Sequence, residues 1–127
     1  FDGVSISGTS DIQIRLGDSG GIEATGYSSV DARYNSTGAA QQTHTDGFNL
    51  YSGAAANLLT GCFRLNLMNA STNTWIGGGT YKLDASTDIA CQTDGSKSLS
   101  GELTTIRITT GNGTNTFDAG SINIAYQ

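Results

Sequence analysis

At 127 residues the chain has the length of about one domain with a single core. Only 13% of residues are charged, the net charge is −5, and the six basic residues are scattered, which leaves no electrostatic footprint for nucleic acid. No apolar run reaches the roughly 18 residues of a membrane-spanning helix, and 18 glycines with no proline favour strands and tight turns over helices.

Apolar residues recur every second position along most of the chain. A short strand is expected at Val4–Ile6, followed by a clear one in which Ile12, Ile14 and Leu16 alternate with Asp11, Gln13 and Arg15. Gly17 to Gly21 reads as a turn, Ile22 to Tyr27 as a weaker strand, Asp46-Gly47 as a turn, and Gly47 to Tyr51 as a further strand. The stretch Ala54 to Leu59 is too short to sustain a helix and reads as a turn. Phe63, Leu65 and Leu67 alternate with Cys62, Arg64 and Asn66, and a turn follows at Asn69 to Asn73. Strands are then expected at Thr74–Tyr81 and Thr87–Cys91, with a turn at Asp94-Gly95. Ile106 and Ile108 mark another strand, Gly111-Asn112-Gly113 a turn, and Ile122, Ile124 and Tyr126 a closing strand. With no linker and no repeat, residues 1–127 read as one all-β domain, an antiparallel sandwich of about eight or nine strands.

Gly17-Asp18-Ser19-Gly20-Gly21 spells GDSGG, the string around the nucleophilic serine of chymotrypsin-like proteases. A serine hydrolase needs a base beside its hydroxyl and a third group to orient that base. The only histidine, His44, follows Ser19 in the chain, the reverse of the protease order, and 127 residues are too few for two barrels. A polar, glycine-hinged turn between two strands accounts for the same five residues. No catalytic residue is assigned, and no enzyme activity is expected.

The carboxylates are spread singly through turns, so no facing pair for glycoside hydrolysis and no calcium-loop spacing stands out. No metal site and no cofactor are expected. Cys62 and Cys91 permit either one disulfide or two reduced thiols. His44 lies in the polar run Gln41-Gln42-Thr43-His44-Thr45, where a surface role is the ordinary one. Trp75, Tyr27, Tyr34, Tyr51 and Tyr81 offer aromatic faces that suit either a sugar ring or cross-strand packing.

Several stretches together resemble a domain at the carboxyl end of bacteriophage tail-fibre and other virion proteins. They are FDGVS at Phe1–Ser5, IRLGDSGGIEATGY at Ile14–Tyr27, NASTNTWIGGG at Asn69–Gly79, KSLSGELTTIRITT at Lys97–Thr110 and NGTNTFDAGSINIAYQ at Asn112–Gln127. They run the length of the chain in order, and the region Ser28 to Thr60 matches poorly. The resemblance implies a jelly-roll-like β-sandwich on the exterior of a phage particle, assembled as a homotrimer. It also implies the distal, carboxyl-terminal part of a longer polypeptide that is entered inside a strand. The partners it implies are other virion proteins and a bacterial surface glycan or protein, without nucleic acid and without membrane insertion. Under this reading the contact surfaces are the loops Ser28–Thr43, Ser52–Gly61 and Lys82–Ser86. Tyr34, Gln41, Gln42, His44 and Tyr51 are the residues expected to touch a ligand, with Trp75 as a further stacking candidate. Two other readings fit the same chain: a capsid decoration protein that stiffens the shell, and a free carbohydrate-binding module.

Overall fold

The alternation of apolar and polar residues becomes strand pairing in the computed structural model, which describes residues 1–85 and 88–126. In chain order the strands are β1 (Asp2–Ile6), β2 (Ile12–Asp18), β3 (Gly21–Ile22), β4 (Tyr27–Asn35), β5 (Gly38–His44) and β6 (Phe48–Leu50). They continue with β7 (Leu58–Asn69), β8 (Thr74–Asp84), β9 (Ile89–Ser98), β10 (Thr105–Thr110) and β11 (Phe117–Ser121). A seven-stranded antiparallel sheet has the order β11-β1-β7-β8-β9-β4-β5. The second sheet is narrower: β2 pairs with β10 along one edge, and with β3 and β6 along the other.

The two sheets face each other across one core, as the sandwich expectation requires. Ile12, Ile14 and Leu16 of β2 point inward beside Phe48 and Leu50 of β6. From the larger sheet come Val4, Ile6, Tyr27, Leu59, Tyr81, Leu83 and Cys91, all buried. Phe48 lies at the centre, its ring edge-on to Tyr27 at 5.3 Å and tilted against Phe63 at 5.5 Å. Glycine makes room for this pair, because a Cβ at Gly77 would meet the rings of Phe63 and Phe48.

Several expectations are corrected. The region Ser28 to Thr43, expected as a loop, is the β4–β5 hairpin at the edge of the larger sheet. Its inward residues Ser29, Asp31 and Arg33 are polar, so the strand carries no apolar alternation to read. Asp94-Gly95, expected as a turn, lies inside β9, paired with Val30 and Ser29 on one side and with Gly78 and Gly77 on the other. The strand expected over Ile22 to Tyr27 is reduced to Gly21–Ile22, and Tyr27 opens β4 instead. The closing strand lies earlier than its alternation suggested, at Phe117–Ser121, and residues 122–126 carry no strand. Of the loop expected over Lys82–Ser86, Lys82 to Asp84 belong to β8, and of that over Ser52–Gly61, Leu58 to Gly61 belong to β7; Ser86, and Thr87 where a strand was expected to begin, lie outside the described residues.

GDSGG is the tight connection between β2 and β3, where Asp18 pairs with Gly21 and Ser19 is exposed. Asp18 accepts hydrogen bonds from the Ser100 hydroxyl at 2.6 Å and the Gly20 N–H at 2.7 Å. These two donors, Ser100 first, hold its carboxyl below the ordinary aspartate value. A lowered folded-state value contributes stability that is present above the unfolded value of about 4 and is lost as pH falls through the folded one. Ser100→Ala is therefore expected to raise the Asp18 titration midpoint in a carboxyl-carbon NMR titration and to start acid unfolding at higher pH. An unmoved Asp18 midpoint would contradict the assignment.

Candidate functional site

The β4–β5 hairpin is the part of the fold that brings the sequence candidates together, and its turn is locally specified. The side-chain oxygen of Asn35 accepts bonds from the Thr37 N–H, the Thr37 hydroxyl and the Gly38 N–H, at 3.0, 2.8 and 3.1 Å. Such an asparagine turn closes a hairpin without any long-range contact. The register then runs from Asn35 opposite Gly38 to Ser29 opposite His44. Directly opposed residues share a face, so Tyr34, Ala39, Ala32 and Gln41 point outward, while Asp31, Gln42 and His44 point to the inner side.

On the inner side a buried polar cluster anchors the hairpin to the rest of the sandwich. Asp31 is completely buried and lies 2.6 Å from His44 Nε2 and 3.4 Å from Arg33 Nε. The Asn49 amide of β6 donates to Asp31 at 3.1 Å and to Asp11 at 3.0 Å, and Asp11 also accepts from the Ser52 N–H at 2.9 Å. The Arg33 guanidinium stacks 3.8 Å above the ring of Tyr51, and the Tyr51 N–H donates to the Tyr81 hydroxyl at 2.6 Å. Burial in turn raises the Tyr81 phenol above its usual range.

The Asp31–His44 pair is half of a hydrolytic constellation. Its histidine gives Nε2 to the carboxylate, and among the described residues no serine, threonine or cysteine hydrogen-bonds the ring. Buried charges that are paired and hydrogen-bonded fix the geometry of what carries them. Here they tie the hairpin to β6 and to the residues before β2. The sequence offered no sign of this role for Asp31, Arg33, Asn49 or Asp11, because nothing local separates a buried aspartate from one in a turn.

The outer face of the hairpin continues across β9 and β8. Gln41 is opposite Ala32, Ala32 is opposite Gln92, and Gln92 is opposite Thr80, giving one row across four strands. In the neighbouring row Tyr34 lies opposite Ala39 and Ala90, whose small side chains leave its ring 51% exposed. An open depression of about 360 Å³ lies here, lined by Tyr34, Thr80, Ala90 and Gln92 with Tyr81 and Cys91 of the same strands. The Gln92 amide donates to Asp94 at 2.5 Å, which fixes its orientation. A second depression, of about 310 Å³, lies at the far end of the hairpin between Arg33, Asn35, Gly38, Ala40, Tyr51 and Ile89. An exposed aromatic face ringed by amide and hydroxyl groups can stack on an apolar ring surface while hydrogen-bonding the hydroxyls around it.

The six sequence candidates therefore separate. Tyr34 and Gln41 share the outer face, Gln42 and His44 are on the inner side of β5, and Tyr51 lies under Arg33. Trp75 lies apart from them on the inner face of β8, partly buried against the core and opposite Leu67 and Lys97. Thr80, Ala90 and Gln92 were missed, since only the β4–β9 pairing brings them beside Tyr34. Of the two states left open for the cysteines, the structure has the reduced one. Cys62 and Cys91 are free thiols, one exposed and one buried. They sit on β7 and β9 with β8 between, about 9–10 Å across two strand spacings, beyond disulfide reach. Burial pushes the Cys91 thiol up to about 11.

No family model matches the chain, and neither a curated protein nor a solved structure is significantly similar to it.

Proposed function

We propose that the domain is an adhesive module of a bacteriophage particle that offers the outer face of β4, β5, β8 and β9 to a bacterial surface glycan. The carrying observation is the exposed Tyr34 ring beside an open depression whose other polar groups are Thr80 and the oriented amide of Gln92. Its support from sequence is the resemblance of five stretches, outside Ser28 to Thr60, to carboxyl-terminal virion domains. A shallow open site binds each glycan weakly, and several copies on one particle raise avidity by about 10²–10⁴ without new contacts. A rigid sandwich that presents polar side chains on a flat sheet suits that arrangement, with other virion proteins holding the copies together.

The test is a glycan array probed with the fluorescently labelled domain, followed by titration of the best ligand. Tyr34→Ala and Gln92→Ala are each expected to weaken binding at least tenfold, about 1.4 kcal/mol. Both side chains are exposed, so circular dichroism and thermal midpoint are expected to stay at the wild-type values. Absence of binding to any glycan or bacterial surface, or equal binding by both variants, would overturn the reading.

A further inference from the structure

The inner face of the β4–β5 hairpin is uncovered towards its turn. Ala40 lies opposite Arg33 on that face and is exposed. The depression of about 310 Å³ opens at this end, between Arg33, Asn35, Ala40, Tyr51 and Ile89. Among the described residues that line it, Arg33 is the only charged one. Arg33 and Tyr34 are consecutive in an extended strand, so their side chains leave opposite faces of the sheet. The depression is therefore a different place from the outer face that carries Tyr34.

The Arg33 guanidinium is held in place while its outer end stays unspent. It stacks 3.8 Å above the Tyr51 ring, and its Nε faces Asp31 Oδ1 at 3.4 Å, buried and without a hydrogen bond. The side chain keeps 21% of its surface exposed, and among the described residues nothing accepts a hydrogen bond from Nη1 or Nη2. With Nε buried, the exposed part is the fork of these terminal nitrogens, which can only donate. Asn35 has the same polarity. Its Oδ1 is taken up by the Thr37 N–H, the Thr37 hydroxyl and the Gly38 N–H, which leaves its Nδ2 hydrogens to offer. The Thr37 hydroxyl, its hydrogen spent on Asn35, can accept a bond from a neighbouring hydroxyl.

We propose that this depression binds the carboxylate of an acidic sugar residue on the fork of Arg33. A planar guanidinium matches the two coplanar oxygens of a carboxylate, and one positive charge meets one negative charge. A phosphate monoester would bring a second charge, and the lining holds no second cation for it. Ala39, Ala40 and Ile89 offer apolar surface to the ring carbons, while Asn35 and Thr37 suit its hydroxyls. Stacking on Tyr51 fixes the arginine beforehand, so binding costs little of its side-chain freedom. The inference rests on the glycan reading for the polymer that carries the acid, and it adds a second site to it.

Titration of the isotope-labelled domain with methyl glucuronide, followed by NMR, tests this, with neutral methyl glucoside and methyl phosphate alongside. The glucuronide is expected to shift the Arg33 Nε–H and Asn35 side-chain signals and to bind about tenfold or more tightly than either control. Arg33→Lys keeps the charge and loses the fork, and is expected to weaken glucuronide binding by about tenfold. Ala40→Glu sets a carboxylate on the exposed rim, with the same expected loss and an unchanged circular dichroism spectrum, which separates the site from damage to the Asp31 cluster. Tyr34→Ala is expected to bind the glucuronide as the wild type does, so failure of the outer-face site and failure of this one are read separately. No binding of the glucuronide, equal binding of either control, or unchanged affinity in either the Arg33 or the Ala40 variant would overturn the inference.

Discussion

Asp31→Ala is expected to destabilise the domain by about 3–5 kcal/mol, the usual cost of removing one partner from a buried charge pair. The carboxylate is fully buried and is the common partner of His44, Arg33 and the Asn49 amide. Truncation leaves a partly buried guanidinium beside Tyr51 and an imidazole without its carboxylate partner. Asp31→Asn keeps the volume and one acceptor oxygen, so its loss is expected to be smaller. Urea unfolding followed by tryptophan fluorescence measures both. A cost below about 1 kcal/mol for Asp31→Ala would show that the cluster contributes little. The same variant probes function, since this cluster holds the strand pair that carries Tyr34 and Gln41. Loss of glycan binding is expected to accompany the loss of stability.

Phe48→Ala is expected to cost a similar amount, about 3–5 kcal/mol, by a different route. The ring is fully buried between Tyr27 and Phe63 and fills the space that Gly77 leaves on β8. It belongs to β6, whose backbone is held by pairing with Ile12, Gln13 and Ile14 of β2. Part of the loss is the removed transfer free energy, and part is the cavity that stays. Phe48→Leu keeps most of the volume and is expected to cost less, about 1.5 kcal/mol. Equal losses for the two substitutions would place the energy in the aromatic pairing instead of the filled volume. Chemical denaturation with a shared m-value separates these cases.

Local pattern sufficed wherever apolar residues alternate against a core. β2 was legible from Ile12, Ile14 and Leu16, whose single buried face imposes period two on the sequence, and β7 and β10 from the alternation of Phe63, Leu65 and Leu67 and of Ile106 and Ile108. The glycine-hinged turn at Asp18 to Gly21 was legible for the same local reason. β4 was not legible: its inward residues are Ser29, Asp31 and Arg33, and only the arrival of His44, Asn49 and Tyr51 makes their burial tolerable. Asp94-Gly95 misled in the other direction, since partners on both sides hold a turn-forming pair extended.

The amino-acid sequence by itself thus determined an all-β chain, the positions of its apolar strands and its tight turns, because those rest on neighbours a few residues apart. The tertiary structure alone decided which strands pair, and with them the buried Asp31 cluster, the meeting of Tyr34 with Thr80 and Gln92, and the separation of the two cysteines. Each depends on contacts between residues tens of positions apart, which no local spacing encodes.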